Sequence, residues 1–164
     1  MFDVDTFLNT PISEPMSTRY TIAPEGIFML QIEDVSAASG TSDNGPWLRL
    51  DITYTLTDPT VLEALNTRRL IVRGGRLFLD LNPDGSLDLR DGRNVRLGKL
   101  RDAVKQNTRN QPWSPSMLKG QMVAGQIRHS PSRNDPNEPI AEVVRVFDPS
   151  TVREFTTVAK KSAA

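Results

Sequence analysis

Hydrophobic and polar residues alternate through two segments in the first third of the chain. Within residues 26–35, Phe28, Leu30 and Ile32 occupy alternate positions, and within residues 47–56 every second side chain is hydrophobic. A period of two is typical of a strand with one face buried. We therefore predict two strands, joined by a loop over residues 36–46, where small polar residues are concentrated.

Two adjacent glycines interrupt the third predicted strand. Residues 70–72 and 76–81 have the composition of a strand, and Gly74 and Gly75 lie between them. Paired glycines inside a strand indicate a bulge or a sharp bend, such as small barrels need. A bulge shifts the register, so the sequence leaves open whether Phe78 faces the core or the solvent.

One segment in the second half has a helical pattern. Residues 94–107 place hydrophobic side chains on one stripe, and Asn94 is suited to cap the first turn. A shorter helix over residues 59–66 is predicted between the second and third strands, because Asp58 is followed by proline. Beyond the long helix, a hairpin is predicted from strands at 118–129 and 140–147, joined by a loop over 130–139.

The predicted order is strand, strand, strand, main helix, strand, strand. This order predicts a mainly β protein with the five-stranded barrel of the OB fold, in which one helix separates the third and fourth strands. We predict an N-terminal arm over residues 1–19, a barrel domain over 20–148 and a flexible C-terminal tail over 149–164. Pro11 and Pro15 prevent a long helix in the arm, and its hydrophobic residues are expected to attach it to the barrel. A jelly roll would need eight strands, and a parallel α/β sheet would need a helix after each strand.

Charge is unevenly distributed along a chain whose net charge is zero. Residues 1–67 hold two basic and ten acidic residues, whereas residues 68–133 hold fourteen basic and five acidic residues. Such segregation favours a basic face that binds a polyanion. The alternative is that segments of opposite sign pair with each other in the folded protein.

Several function classes lack the residues they need. The chain has no cysteine and one histidine, His129, so thiol chemistry is excluded and a catalytic base is not indicated. Neither a phosphate-binding loop nor a dinucleotide fingerprint follows a strand. No hydrophobic run is long enough to span a bilayer, and no signal peptide is recognised at the N-terminus. We therefore expect a cytoplasmic protein that is not an enzyme, binds no cofactor and does not associate with membranes.

Residues 80–91 have nearly the ligand spacing of a calcium-binding loop. Oxygen-bearing side chains fall at positions 1, 3, 5, 9 and 12, and Gly85 is at position 6. The segment Asn82, Pro83, Asp84, Gly85 is also typical of a β-turn. We favour the turn, because strand rather than helix precedes the segment and the next helix begins too late. A calcium-binding adhesion module is the alternative that requires the metal.

Single-stranded nucleic acid is bound by cations along a groove and by exposed planar side chains. In OB barrels that groove crosses the second and third strands. The second strand offers Trp47 and Arg49 on its outward face, the third offers Arg73, Arg76 and Phe78, and the last hairpin offers Arg128, His129 and Arg133. Trp47 is equally suited to seal the end of the barrel, whereas Trp113, between two prolines, is better suited to packing.

The segment from residue 79 to residue 120 resembles a known family. An LDL–turn–LD stretch is followed by N-x-x-LG-x-LR-x-A-x-x-QN, then by PW, and then by LKG at the start of a hairpin. In this order the motifs resemble those of single-stranded-DNA-binding proteins encoded by tailed bacteriophages. With the hairpin, the resemblance covers about half the chain.

The resemblance implies an OB fold and sequence-independent binding of single-stranded DNA during phage replication or recombination, in the host cytoplasm. Many single-strand-binding proteins recruit replication proteins through an acidic tail, but this chain ends in KKSAA. Recruitment through the tail is therefore not expected, although replication or recombination proteins stay open as partners, as does a homo-oligomer. The alternative function is a β-rich protein–protein or virion accessory module that binds no nucleic acid.

Overall fold

Five strands form a closed barrel in the computed structural model, which describes residues 2–159. The strands are β1 (Gly26–Ser42), β2 (Gly45–Leu56), β3 (Leu70–Phe78), β4 (Met122–Pro131) and β5 (Pro139–Phe147). Their order around the barrel is β1-β2-β3-β5-β4, and β4 pairs back with β1. All pairs are antiparallel except β3 with β5. The predicted mainly β, five-stranded barrel with an OB-fold order of elements is confirmed.

Three α-helices accompany the barrel. They are α1 (Val4–Asn9), α2 (Pro59–Ala64) and α3 (Val95–Ala103). The main helix α3 lies between β3 and β4 in the chain, as predicted, and buries Leu97, Leu100 and Ala103. It is shorter than predicted because Lys105 adopts a φ of +58° and the amide of Gln106 donates to the carbonyl of Arg101 at 2.8 Å. This backward hydrogen bond closes the last turn in a Schellman motif.

The loop predicted over residues 36–46 is wrong, because these residues extend β1 and β2 into a long hairpin. The two strands pair from Leu30 opposite Leu56 to Ser42 opposite Gly45, which leaves only Asp43 and Asn44 as the connection. The alternation of hydrophobic residues stops near residue 35, because the extended part of the hairpin has no buried face. The sequence pattern therefore gives no sign of the extension. Backbone hydrogen bonds rather than side-chain burial hold this part of the ladder.

The two glycines of β3 form the predicted bulge. Asp51 pairs with Arg76 and Thr53 pairs with Arg73, so Gly74 and Gly75 together face the single residue Ile52. A Cβ atom on Gly74 would lie 2.5 Å from the ring of Tyr54. Glycine at position 74 is therefore needed for close packing against β2.

The fourth strand begins later than predicted. A 3-10 helix over Pro115–Leu118 precedes it, and the amide of Gly120 donates to the carbonyl of Ile32 at 2.7 Å before the strand begins. Leu118 is fully buried and so anchors the connection between α3 and the final hairpin.

The arm does not attach to the barrel, so that expectation is wrong. Every residue of α1 is exposed, and Phe2 and Phe7 are 97% and 71% exposed. The helix is instead held by local bonds: Asp3 accepts hydrogen bonds from the amides of Asp5 and Thr6. The arm holds no long helix, as the prolines predict, and its short helix α1 is solvated.

The C-terminal tail is held against the barrel beyond the predicted boundary at residue 148. The amide of Thr156 donates to the carbonyl of Ile27, and the hydroxyl of Thr156 accepts from the amide of Ile27, both at 2.9 Å. The ordered body therefore includes this part of the predicted flexible tail. Residues 160–164, which carry the two terminal lysines, lie outside the described residues.

Candidate nucleic-acid interface

The predicted arginines of β2 and β3 lie on the outward face that these two paired strands share. Arg49 pairs with Phe78, and Asp51 pairs with Arg76. Arg73 and Arg76 are three residues apart, a spacing that would place them on opposite faces of a regular strand. The bulge at the two glycines adds one residue, so both arginines are exposed on the same face.

A groove with a volume of about 930 Å³ runs across this face toward β5 and the loop between β4 and β5. Five arginines and two carboxylates line it; they are Arg49, Arg73, Arg76, Arg96, Arg133, Asp51 and Glu142. The groove thus has an excess of positive charge. Four of the predicted residues, Arg49, Arg73, Arg76 and Arg133, are brought together here.

Most of these arginines have no acidic partner within the described part of the chain. Arg49 donates through Nε to the carboxylate of Asp51 at 3.1 Å. For Arg73, Arg76 and Arg133, no carboxylate oxygen of residues 2–159 lies within ion-pair distance. Guanidinium groups that lack an internal partner are available to phosphate oxygens, which they bind in bidentate geometry.

Two aromatic rings lie beside Arg49 on the same outward face. Trp47 and Phe78 pack edge to face with their ring centroids 5.8 Å apart, and the guanidinium of Arg49 lies 5.3 Å from the Trp47 ring. Phe78 is 57% exposed, which answers the question of its register. The outward position of Trp47 places its ring with the arginines rather than in the core.

Trp47 is seated on a glycine of the neighbouring strand. Gly40 pairs directly with Trp47, and a Cβ atom on Gly40 would lie 2.5 Å from Cζ2 of the indole. The indole therefore occupies the space that a side chain at position 40 would need. This seat limits the positions that the ring can take and leaves it half-buried.

Arg128 and His129 are placed differently from the other predicted residues. Arg128 is exposed on β4 and pairs across the sheet with Glu142 of β5. His129 does not line the groove: its Nε2 lies 2.7 Å from the carbonyl oxygen of Ala23, and its amide donates to Glu25 at 2.9 Å. The imidazole is thus held by the turn that precedes β1.

Arg96 of α3 lines the groove although the sequence did not single it out. Its Nη1 donates to the carbonyl of Arg76 at 3.4 Å. Arg96 lies on the exposed side of α3, and the packing of this helix against β5 brings it to the groove. Nothing in the spacing of residues along the chain indicates that contact.

Trp113 is a packing residue, as the sequence favoured. Its Nε1 donates to Oε1 of Gln106 at 2.9 Å, and the guanidinium of Arg101 lies 4.2 Å from its ring. The ring also packs against the hydrophobic core. Trp113 therefore fixes the connection after α3 rather than presenting a free ring face.

The acidic loop before α3 forms the predicted β-turn. The amide of Gly85 donates to the carbonyl of Asn82 at 2.9 Å, and Leu81 bridges to Leu87. Asp84 accepts hydrogen bonds from the hydroxyl and the amide of Ser86, and they lower the pKa of its carboxyl. The turn thus uses its own acidic side chain internally.

Asp88 is buried in this loop and paired with arginine. Arg90 donates to both carboxylate oxygens, and these bonds lower the pKa of Asp88 to about 2. Asn94 holds the other side of the loop through Asp80 and does not cap α3 with its side chain, so that prediction is wrong. Within residues 2–159, no group of three or more acidic or histidine side chains is arranged to hold a metal ion.

The fold and the groove together define an OB-fold barrel with an arginine-lined outer face, beside which lie the half-buried Trp47 and the exposed Phe78. No protein-family model and no curated protein sequence matches this chain. In the part of the chain that the structure describes, no helix is long and hydrophobic enough to cross a membrane.

Proposed function

We propose that this protein binds single-stranded DNA without sequence preference, along the groove on the outer face of β2, β3 and β5. The observation that carries the proposal is the bulge in β3. It places Arg73 and Arg76 on one face, which also carries Arg49 and the aromatic pair of Trp47 and Phe78. Cations in a row with planar side chains beside them are the two parts that single-strand binding needs.

The arginines would neutralise phosphates, and the aromatic rings would stack on bases. Phosphate contacts carry no sequence information, which accounts for binding without sequence preference. Stacking requires a base whose face is free, so a duplex, in which neighbouring bases cover each other, would offer only its phosphates. The preference for single strands would therefore depend on Trp47 and Phe78, whereas most of the affinity would depend on the arginines.

The order of motifs between residues 79 and 120 gives independent support. The resemblance to phage single-strand-binding proteins suggests DNA replication or recombination as the setting. It does not depend on the groove, because most of the groove arginines lie outside those motifs. The loop that contains Asp84 and Asp88 would contribute acidic residues near α3 and is not part of the proposed DNA path.

Binding is tested with oligo-dT and with a duplex of the same length in a salt titration. Trp47 provides the signal, since a base stacked on the indole quenches its fluorescence. The Trp113→Phe variant removes the second tryptophan, which does not line the groove, so its emission isolates Trp47. We expect tight binding of oligo-dT at low salt, quenching, and weaker binding of the duplex. Equal affinity for the two DNAs, or no binding of oligo-dT at low salt, would overturn the proposal and favour the protein–protein module.

A further inference from the structure

The N-terminal arm displays hydrophobic side chains that its own barrel does not cover. In α1, Val4, Phe7 and Leu8 follow the i, i+3, i+4 spacing of one helix face, and all three are more than half exposed. Ile12, Met16 and Tyr20 continue the exposed series toward the barrel. A helix of six residues is marginal in water, because a short helix gains most of its stability from packing. The arm therefore has the properties of a segment that folds stably against another surface.

A second groove opens on the barrel between β3 and β5. These strands pair at Arg73 and Glu142, and beyond this pair the groove separates them. It has a volume of about 460 Å³ and is lined by α3, by residues 143–147 of β5 and by the buried side chains of Tyr54, Leu77 and Leu100. Its accessible hydrophobic surface includes Val144, which is 43% exposed, and the half-buried residues 146–147. We call it the β3–β5 seam.

The rim of the seam is suited to the charge of the arm. Arg96, Lys99 and Arg145 line it, together with Asp102 and Asp148. The hydrogen bonds that Asp148 accepts from the amide and the hydroxyl of Ser150 favour its charged form, so the rim has three basic and two acidic side chains and a small net positive charge. The arm over residues 2–19 carries three carboxylates and one arginine, so opposite net charges would meet.

We propose that the arm of one copy docks in the β3–β5 seam of a second copy, with Phe7 and Leu8 in the groove and Asp3 and Asp5 toward the basic rim. In this structure the arm is exposed and is not seated on its own seam. Residues 10–25 between α1 and β1 number sixteen and could extend over about 50 Å, enough to reach a neighbouring barrel.

This contact joins two different surfaces, so it propagates from copy to copy. Each copy contributes an arm at one side and a seam at the other, and a heterologous contact of this kind forms rings or open chains. Arg96, Val143 and Val144 line both the seam and the arginine groove, so the two grooves are contiguous. The association does not require DNA, and it is therefore tested without DNA.

Two sets of substitutions separate the arm from the seam. The arm variant is Phe7→Ser with Leu8→Ser, and the seam variant is Lys99→Glu with Arg145→Glu; all four side chains are exposed. The charge control is Arg68→Glu with Arg109→Glu, two exposed residues that line neither groove. Thermal melts check that each variant is folded.

Sedimentation velocity at rising protein concentration gives the readout. We expect the mass of the wild type and of the charge control to rise with concentration, and each of the two variants alone to stay monomeric. An equimolar mixture of the two variants should form a heterodimer and nothing larger, because only one intact arm and one intact seam are present. A wild type that stays monomeric at all concentrations would overturn the proposal. A monomer is the result expected if the arm docks in the seam of its own barrel or binds a different partner.

A labelled peptide of residues 2–19 provides a second measurement that does not depend on the state of the wild type. It should bind to the full-length arm variant, whose seam is free, and binding should be lost when Lys99→Glu and Arg145→Glu are added. Equal binding to both proteins would contradict the assignment of the seam. Since neither assay contains DNA, a negative result here leaves the DNA-binding proposal untouched, and the reverse also holds.

Discussion

Replacing Arg73 and Arg76 with alanine should weaken the salt dependence of DNA binding by a calculable amount. Each phosphate that a protein neutralises on a single strand contributes about −0.7 to the slope of log K against log salt. If the five arginines of the groove each neutralise one phosphate, the slope is about −3.5, and affinity falls about 130-fold between 50 and 200 mM salt. With two arginines removed, the slope becomes about −2.1 and the loss falls to about 18-fold.

The assay is fluorescence anisotropy of labelled oligo-dT, titrated at several salt concentrations. The matched control is Arg68→Ala with Arg109→Ala, which removes the same charge from exposed positions outside the groove. The control should keep the wild-type slope, because counterions are released by local contacts rather than by net charge. An equal change of slope in both double variants would refute the assignment of the groove. Weaker binding by both variants at one salt concentration does not decide the question, because the test depends on the slope.

Three further substitutions test features that support the groove and the fold. Gly40→Ala should push the Trp47 ring from its seat, shift its emission, weaken oligo-dT binding several-fold and lower the unfolding free energy by about 1 kcal/mol. Lys105→Gly should raise the unfolding free energy measured in urea by about 0.5–1 kcal/mol, because glycine adopts the positive φ at the end of α3 without strain. Asp88→Asn should flatten the loss of thermal stability in acid. The folded-state pKa of Asp88 is about 2 against an ordinary 3.8, so the wild type gains stability from this carboxylate above pH 3.8 and loses it as the pH falls toward 2.

Each of these substitutions has its own control and contrary result. For Gly40, the comparison is Gly98→Ala in α3, where a Cβ atom meets nothing within 4 Å and the backbone φ is not positive; an equal effect on DNA binding would contradict the role of the indole seat. For Lys105, the comparison is Lys99→Gly inside α3, which should lose about 1 kcal/mol. For Asp88, the melting temperatures of the wild type and the variant are compared from neutral pH to pH 2. A constant difference between the two would show that the pairing with Arg90 adds no acid-sensitive stability.

The barrel could be predicted because each strand buries one face. Phe28, Leu30 and Ile32 are all fully buried, and their spacing of two is visible in the sequence. The paired glycines of β3 also have a local signature. The extension of the β1–β2 hairpin past residue 35 could not be predicted in this way, because small polar residues leave no face to alternate and backbone hydrogen bonds maintain the ladder.

The interface was predictable within the strands and, at Arg133, in the loop of the last hairpin. Arg49, Arg73 and Arg76 follow from the alternation on β2 and β3 together with the bulge. Arg96 was missed because its place depends on how α3 packs, and the imidazole of His129 is held by the carbonyl of Ala23, a contact between residues more than a hundred positions apart. The exposure of the arm was missed because hydrophobic side chains in a sequence predict burial, but they do not show whether the covering surface belongs to the same barrel or to another molecule.

The bulge in β3 also couples the length of this strand to its charge pattern. Deleting one of the two glycines would restore a regular strand in which the two arginines are two residues apart, so both would stay on the outer face. An odd spacing of the arginines is compatible with a shared face only while the inserted residue is present, because without it one flanking segment would turn toward the core. In related chains we therefore expect the inserted residue and the odd spacing of the two arginines to be inherited or lost together, which makes their joint occurrence a test that comparison of sequences alone can perform.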